Sequence, residues 1–390
     1  MFKERELLKL IQTYYYSSEA VLITGMRRTG KTTLLENIYS KIDSKNKLML
    51  DFENPINRKY FEDENYEKIK SSLEILGLDF SSRVYLFLDE IQYLRNISSV
   101  IKYFVDIWKV KFFMTGSTNF YSRKVFDESL AGRKIIFELY PLTFREFLNF
   151  KGKKINIPLQ TTDVSKPIFD MLSNYYDEYY LFGGFPEVVL KKTIEEKKKS
   201  LEDIFASFFK FEVVQMSNYR KSEVIRDLML LLMRKTGSRL DIQKISQELS
   251  ISRATTYEYL AFLEGSYFIK IIRPYTIQND IEIRKSPKIY ICDCGLVNHF
   301  ARTTEECLFE NSVFQNLRSK GQVQYYERKS GSSIDFILNG ETAFDVELHP
   351  RKSDFSRIQK LSVDLSLLHY FIVSKNYSEL EPIQYSFMVS

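Results

Sequence analysis

Between Ala20 and Leu139, short apolar runs alternate with stretches in which apolar residues recur every three to four positions. That rhythm predicts strands at Ala20–Thr24, Lys47–Phe52, Val84–Asp89, Val110–Thr115 and Lys134–Leu139, joined by helices into an α/β domain with a parallel sheet. Apolar side chains fill both faces of Val84–Leu88, the mark of a strand covered on each side by helices. Residues 151–225 read as helical and rich in Tyr, Phe and Lys, broken by Gly183-Gly184-Phe185-Pro186. Within 226–285, helices at Ile242–Leu249 and Arg253–Glu264 flank a turn at Ser250–Ser252, and Tyr267–Arg273 and Ile281–Arg284 form a strand pair behind them. The stripe Ile245, Leu249, Ile251, Tyr257, Leu260 and Leu263 is expected to be buried, with Ser252 capping the second helix. From 286 to 390 the pattern gives helix Cys307–Arg318, strands Gln322–Glu327, Ser332–Leu338 and Thr342–His349, helix Phe355–Ser366 and strand Leu368–Ser374. Asn339-Gly340 marks a hairpin turn there. The expected division is therefore 1–150, 151–225, 226–285 and 286–390.

Composition agrees with a multidomain globular chain: 390 residues, 44% hydrophobic and 27% charged. No run approaches the roughly 20 apolar residues needed to span a bilayer, so no membrane role is expected. The N-terminus MFKERELLKL is charged from its third residue, unlike a secretory signal. Cys292, Cys294 and Cys307 form neither a disulfide framework nor a metal knuckle, which fits reduced thiols and a cytoplasmic location. The net charge of +5 neither requires nor excludes nucleic acid.

Gly25-Met26-Arg27-Arg28-Thr29-Gly30-Lys31-Thr32 fits G-x-x-x-x-G-K-[ST], fed by the strand Ala20–Ile23 and followed by a helical pattern from Thr33. Such a loop is a phosphate cradle: its N–H groups and the helix N-terminus surround a polyphosphate with partial positive charge. Lys31 reaches the β- and γ-phosphates, and the Thr32 hydroxyl joins a Mg²⁺ shell. Gly25, Arg28, Thr29, Gly30, Lys31, Thr32 and Thr33 are thus the expected nucleotide-binding residues. Asp89 and Glu90 end the strand Val84–Asp89, at the sheet edge where α/β folds bind ligands. Asp89 is placed to hold Mg²⁺ and Glu90 to polarise the attacking water. Thr115, at the end of the next strand, and Ser117, just beyond it, compete for a place near the γ-phosphate, and Ser117 is a catalytic candidate. Arg133 is a candidate arginine finger, acting within its own chain or on a neighbouring one. The absence of an N/T-K-x-D base-reading motif favours ATP over GTP.

At this point the chain resembles bacterial and archaeal ATPases of the AAA+/STAND branch of P-loop proteins. The resemblance is carried by GMRRTGKTTLL (25–35), LFLDEIQYL (86–94), MTGST (114–118), SLAGR with FELYPLTFREF (129–147), LFGGFPEVV (181–189), YLAFLEGSYFI (259–269), RPYTIQND (273–280) and KIYICDCGL (288–296). It implies an ASCE-type P-loop domain, a helical lid, a winged helix and a restriction-endonuclease-like α/β tail, with ATP binding and slow hydrolysis. The winged helix would offer Arg253, Thr255, Thr256, Glu258 and Tyr259 to a DNA major groove, on a face that is thinly basic. Active enzymes with tails of this kind combine a helical Glu, a strand Asp and a following D/E-x-K, and the matching positions are Glu310, Asp335 and Asp345. The lysine position is Glu347 if Asp345 is the acid, or His349 if Glu347 is, leaving a degenerate, nuclease-like site. The sequence thus points to a Mg²⁺-dependent ATP-hydrolysing switch governing a winged helix and a nuclease-like tail. Its rivals are an ATP-gated DNA-processing nuclease and a nucleotide-controlled protein scaffold that self-assembles as a homo-oligomer.

Overall fold

The computed structural model describes residues 3–94, 96–117, 130, 132–216, 222–276, 286–328, 330–378 and 380–390. The expected strand Ile281–Arg284 and the ends of the MTGST and RPYTIQND blocks lie outside these residues. The chain forms two compact units, residues 1–140 with Gly265–Tyr267, and residues 141–264 with 268–390.

In the first unit, strands β1 (Ala20–Thr24), β2 (Lys47–Asp51), β3 (Tyr85–Asp89), β4 (Lys111–Gly116) and β5 (Lys134–Glu138) pair in the order β2-β3-β4-β1-β5. All four pairings between them are parallel. Each lies within a residue or so of its expected bounds. β1, β3 and β4 are buried at all positions, because both sheet faces are covered. One core gathers Leu22, Leu86, Leu88, Phe112 and Met114 with Ile101 and Phe104 of the helix Ile97–Trp108. The other gathers Val21, Ile23, Phe87 and Phe113 with Leu34, Leu35 and Ile38 of the helix Lys31–Lys41, here α1. Alternate residues of each strand thus serve opposite cores, and the polar residues are left to the strand ends.

The second unit holds the three expected C-terminal segments together. Helices α2 (Ser222–Arg234), α3 (Ile242–Glu248) and α4 (Arg253–Gly265) precede strand β6 (Ile269–Ile272). β6 pairs antiparallel with β7 (Lys288–Ile291), a strand the sequence division assigned to the tail. Helix α5 (Cys294–Phe300) and helix α6 (Glu305–Leu317) follow, then a sheet of β8 (Val323–Glu327), β9 (Ser333–Leu338), β10 (Thr342–Glu347), β11 (His369–Ser374) and β12 (Ile383–Tyr385). Its order is β12-β11-β10-β9-β8, antiparallel from β8 to β10 and parallel beyond, with helix α7 (Lys352–Asp364) between β10 and β11. Asn339 and Gly340 both take positive φ, which is why the hairpin turn between β9 and β10 uses them.

The Gly183-Gly184 and Asp293–Gly295 blocks meet in this unit. Asp293 caps α5 and accepts hydrogen bonds from the Gly184 N–H at 2.7 Å, the Gly295 N–H at 2.9 Å and the Gln315 side-chain amide at 3.2 Å. A Cβ on Gly183 would lie 1.9 Å from Asp293 Oδ1, and one on Gly295 would lie 2.2 Å from the Phe182 carbonyl oxygen. Only glycine permits this approach. Burial pushes the Asp293 carboxyl up to about 6, against the pull of its N–H donors. The folded state therefore holds the proton more tightly than the unfolded chain. This contribution is complete below the ordinary value of 3.8 and is lost as pH rises through about 6. Asp293→Asn keeps the shape but turns an NH₂ toward N–H donors, and should cost about 1–3 kcal/mol in denaturant unfolding. The gap between wild type and variant should narrow from pH 4 to pH 7; a gap that holds constant would contradict the assignment.

Candidate functional site

The edge of the first sheet where β1 and β3 end assembles a loop, a lysine and two acids. β1 stops at Thr24, and Gly25 turns the chain with φ +150°. A Cβ there would lie 2.2 Å from the Leu139 carbonyl oxygen, so the loop can leave the strand only through glycine. Arg28 and Gly30 also take positive φ, and Gly30 caps α1. Thr29 is buried and its hydroxyl donates to the Met26 carbonyl at 2.9 Å. The Lys31 ammonium donates to the Gly25 and Met26 carbonyls at 2.9 and 3.1 Å, inside the loop it serves. Thr32 and Thr33 are exposed on the first turn of α1, and Arg28 is exposed at the loop.

Asp89, 3% exposed, ends β3. Burial raises its carboxyl above the usual range, with repulsion from Glu90 and Asp51 adding to the effect; hydrogen bonds from Thr115 and Thr32 act the other way. Thr115 lies near the end of β4, beside both acids. Its hydroxyl donates to Asp89 and accepts the Glu90 N–H at 3.1 Å, so one side chain fixes both acids. Glu90 is held at φ +56°, and Gln92 donates to its carboxylate. The Ser117 hydroxyl is buried and has no hydrogen-bond partner among the described residues. The Thr32 hydroxyl and the buried acid itself are an oxygen set that suits Mg²⁺, and a bound cation would relieve the repulsion from Glu90 and Asp51.

For Arg133, the reading as a finger on its own chain's site is corrected. It precedes β5 at the opposite edge of the sheet, where its carbonyl accepts the Ala20 N–H at 2.8 Å and its guanidinium pairs with Asp106 at 2.6 Å. The four-residue rise from Ala20 to Thr24, about 13 Å, separates it from the loop, so it does not reach the site of its own unit. Arg5, by contrast, was not anticipated. It is 5% exposed and donates to the Thr29 carbonyl at 2.8 Å and the Tyr140 carbonyl at 2.7 Å, bracing the loop from beneath. Its partners are main-chain oxygens, which leave no residue-type signature in a sequence.

In the second unit the helix face expected to meet DNA is turned. Thr256 and Tyr259 are buried, whereas Tyr257 is 61% exposed beside Arg253 and Glu258. The Thr256 hydroxyl donates to the Ser252 carbonyl at 3.1 Å, so its polar atom is satisfied within its own turn and its methyl can be buried. The tail acids draw together: Asp335 acts electrostatically on Glu310, Asp345 and Glu347 alike. Burial lifts all three, Glu310 to about 7. Yet among the described residues no three His, Cys, Asp or Glu side chains are arranged to hold a metal. Also among the described residues, no helix is long and apolar enough to cross a membrane.

The parallel five-stranded sheet with this loop defines a P-loop domain of the ATPase type. Residues 17–148 match the family model described as an AAA domain, and residues 173–306 match one described as a domain of unknown function, DUF8612. An uncharacterized protein of Methanocaldococcus jannaschii is 29% identical over 332 residues, covering 82% of this chain and 72% of its own length. One of Haemophilus influenzae is 26% identical over 383 residues, covering 90% and 89%. Among solved structures, a Walker-type ATPase of Pyrococcus abyssi is similar over 77% of this chain and 96% of its own, at 14% identity and a TM-score of 0.43.

Arg5→Gln removes a charged donor from two main-chain oxygens. It should lower stability by about 1–3 kcal/mol in urea unfolding of the nucleotide-free protein, and an unchanged midpoint would show that the brace is incidental.

Proposed function

We propose that this protein is a Mg²⁺-dependent ATPase whose nucleotide state governs its C-terminal half. The observation that carries this reading is the chain Thr32–Asp89–Thr115–Glu90 beside the Lys31 loop. ATP would lie along Gly25–Thr33, with its phosphates against the loop N–H groups and the Lys31 ammonium. Thr32 and Asp89 would hold Mg²⁺, which supplies charge compensation to the polyphosphate. The Glu90 carboxylate accepts a proton from the attacking water; Gln92 donates to that carboxylate, and Thr115 holds the Glu90 main-chain N–H.

Transmission of nucleotide state is supported by Tyr267. With Gly265 and Ser266 it belongs to the first unit by its contacts, although the flanking Glu264 and Phe268 belong to the second. Its hydroxyl lies 2.7 Å from Thr24 Oγ1, one residue before the phosphate loop, and donates to Glu138 at 3.0 Å.

The element order of the second unit supports the finer readings of its parts. Three helices and two strands, with Arg239 bridging Lys288 between the first two helices, follow the winged-helix order. Helix α6, strands β8 to β10, helix α7 and strand β11 follow the restriction-endonuclease-like order. The described face of α4 sets Arg253 against Glu258 around Tyr257, which favours a protein contact over duplex reading.

Lys31→Ala should abolish the ATP-induced melting shift, which in wild type corresponds to about 2.7 kcal/mol at roughly 100 times the dissociation constant. Glu90→Gln should still bind ATP but turn it over at least ~10²-fold more slowly. Equal phosphate release by Glu90→Gln and wild type would remove Glu90 from the chemistry. With a fluorescent duplex at low salt, Arg253→Ala should leave anisotropy unchanged. Binding that falls steeply with salt and weakens in Arg253→Ala would promote the DNA reading instead.

A further inference from the structure

The sequence places no lysine beside the tail acids, but the fold brings one from elsewhere. Lys288 opens β7, 22 residues before Glu310, and its side chain is 13% exposed. Its ammonium lies 3.2 Å from Glu310 Oε1 and 3.6 Å from Asp335 Oδ1. The strand that delivers it is pinned on both sides, by Ile272 of β6 and by a bridge to Arg239, so the position is set by main-chain pairing rather than by a loose arm. The Tyr290 hydroxyl donates to the same Glu310 oxygen, and a Cβ on Gly237 would lie 3.1 Å from the other. Asp335 spends its second oxygen on the Val346 N–H at 2.9 Å. On the far side of Asp335, Arg357 pairs with Asp345, with Glu347 at 3.0 Å and with Asp354 at 3.6 Å.

Each carboxylate of the cluster therefore has a cation from this chain. Burial opposes the charge on Lys288, but Glu310 and Asp335 outweigh it, and the ammonium is held charged. We propose that Lys288 is the built-in cation of this cluster, filling between Glu310 and Asp335 the position that a divalent ion takes in a hydrolytic site. An ammonium balances one charge and has no open coordination position for water, so the cluster ties β7 to the tail sheet and performs no metal-dependent hydrolysis. This is independent of the ATPase reading.

The test is Mn²⁺ uptake by the full chain without nucleotide, followed by the electron paramagnetic resonance of free Mn²⁺, alongside thermal melts. Wild type and Asp335→Asn should take up the same number of ions, the nucleotide site contributing equally to both. Lys288→Met should melt lower than wild type, take up one Mn²⁺ more, and recover part of the lost stability when it does. Lys288→Met combined with Asp335→Asn should lose that extra ion. One more ion in wild type than in Asp335→Asn would overturn the proposal, whether or not Lys288→Met folds. A folded Lys288→Met that gains no ion would equally overturn it, reducing Lys288 to an ordinary ion pair.

Discussion

A carboxylate at the end of a strand buried on both faces can persist only if its oxygens are occupied. Asp89 is in that position, and most of the first unit can be understood from it. The apolar alternation that builds two cores, one on each side of β3, also carries the aspartate into the sheet edge. Thr115 on the neighbouring strand and Thr32 at the start of α1 supply the hydrogen bonds that its burial demands. Because Thr115 also accepts the Glu90 N–H, one hydroxyl ties the Glu90 main chain to the Asp89 carboxylate. The phosphate loop is fixed with comparable economy: glycine at 25 clears the Leu139 carbonyl, and Arg5 holds the carbonyl of Thr29.

The second unit meets the same demand with different chemistry. Asp293 is buried among N–H donors and has no basic partner at hydrogen-bond distance in those contacts, so its glycine neighbours exist to let the main chain approach it. The tail acids are buried with cations instead, Lys288 on one side and Arg357 on the other. Glu347, which stands where a hydrolytic pattern would have lysine, is matched by Arg357 from α7. Glu347 and Arg357 are thus complementary features of one local charge balance.

Much of this was legible in the sequence wherever chain-local spacing carries the information. The strands of the first sheet, the phosphate loop, the acids at the end of β3 and the tail hairpin all follow from periodicity, glycine positions and turn chemistry. What escaped depends on pairings between distant segments. Arg5 meets main-chain oxygens, and Lys288 comes from β7, a strand that the sequence reading did not predict. β12, three residues long, is too short to show alternation and exists because β11 offers an edge. Thr256 was read as solvent-facing because it is polar, although a hydroxyl bonded within its own turn buries readily. Arg133 was read by its nearness to the last strand, and only the parallel register shows that this is the wrong end of it.

The most direct test of the account is phosphate release from ATP by wild type and Thr115→Val, each with Mg²⁺ and with chelator. The account predicts release that requires Mg²⁺ in wild type. In Thr115→Val, kcat should fall at least tenfold while ATP binding is retained, because the acids lose their common anchor but the loop keeps Lys31. Release that is indifferent to Mg²⁺, or a Thr115→Val variant as fast as wild type, would contradict it.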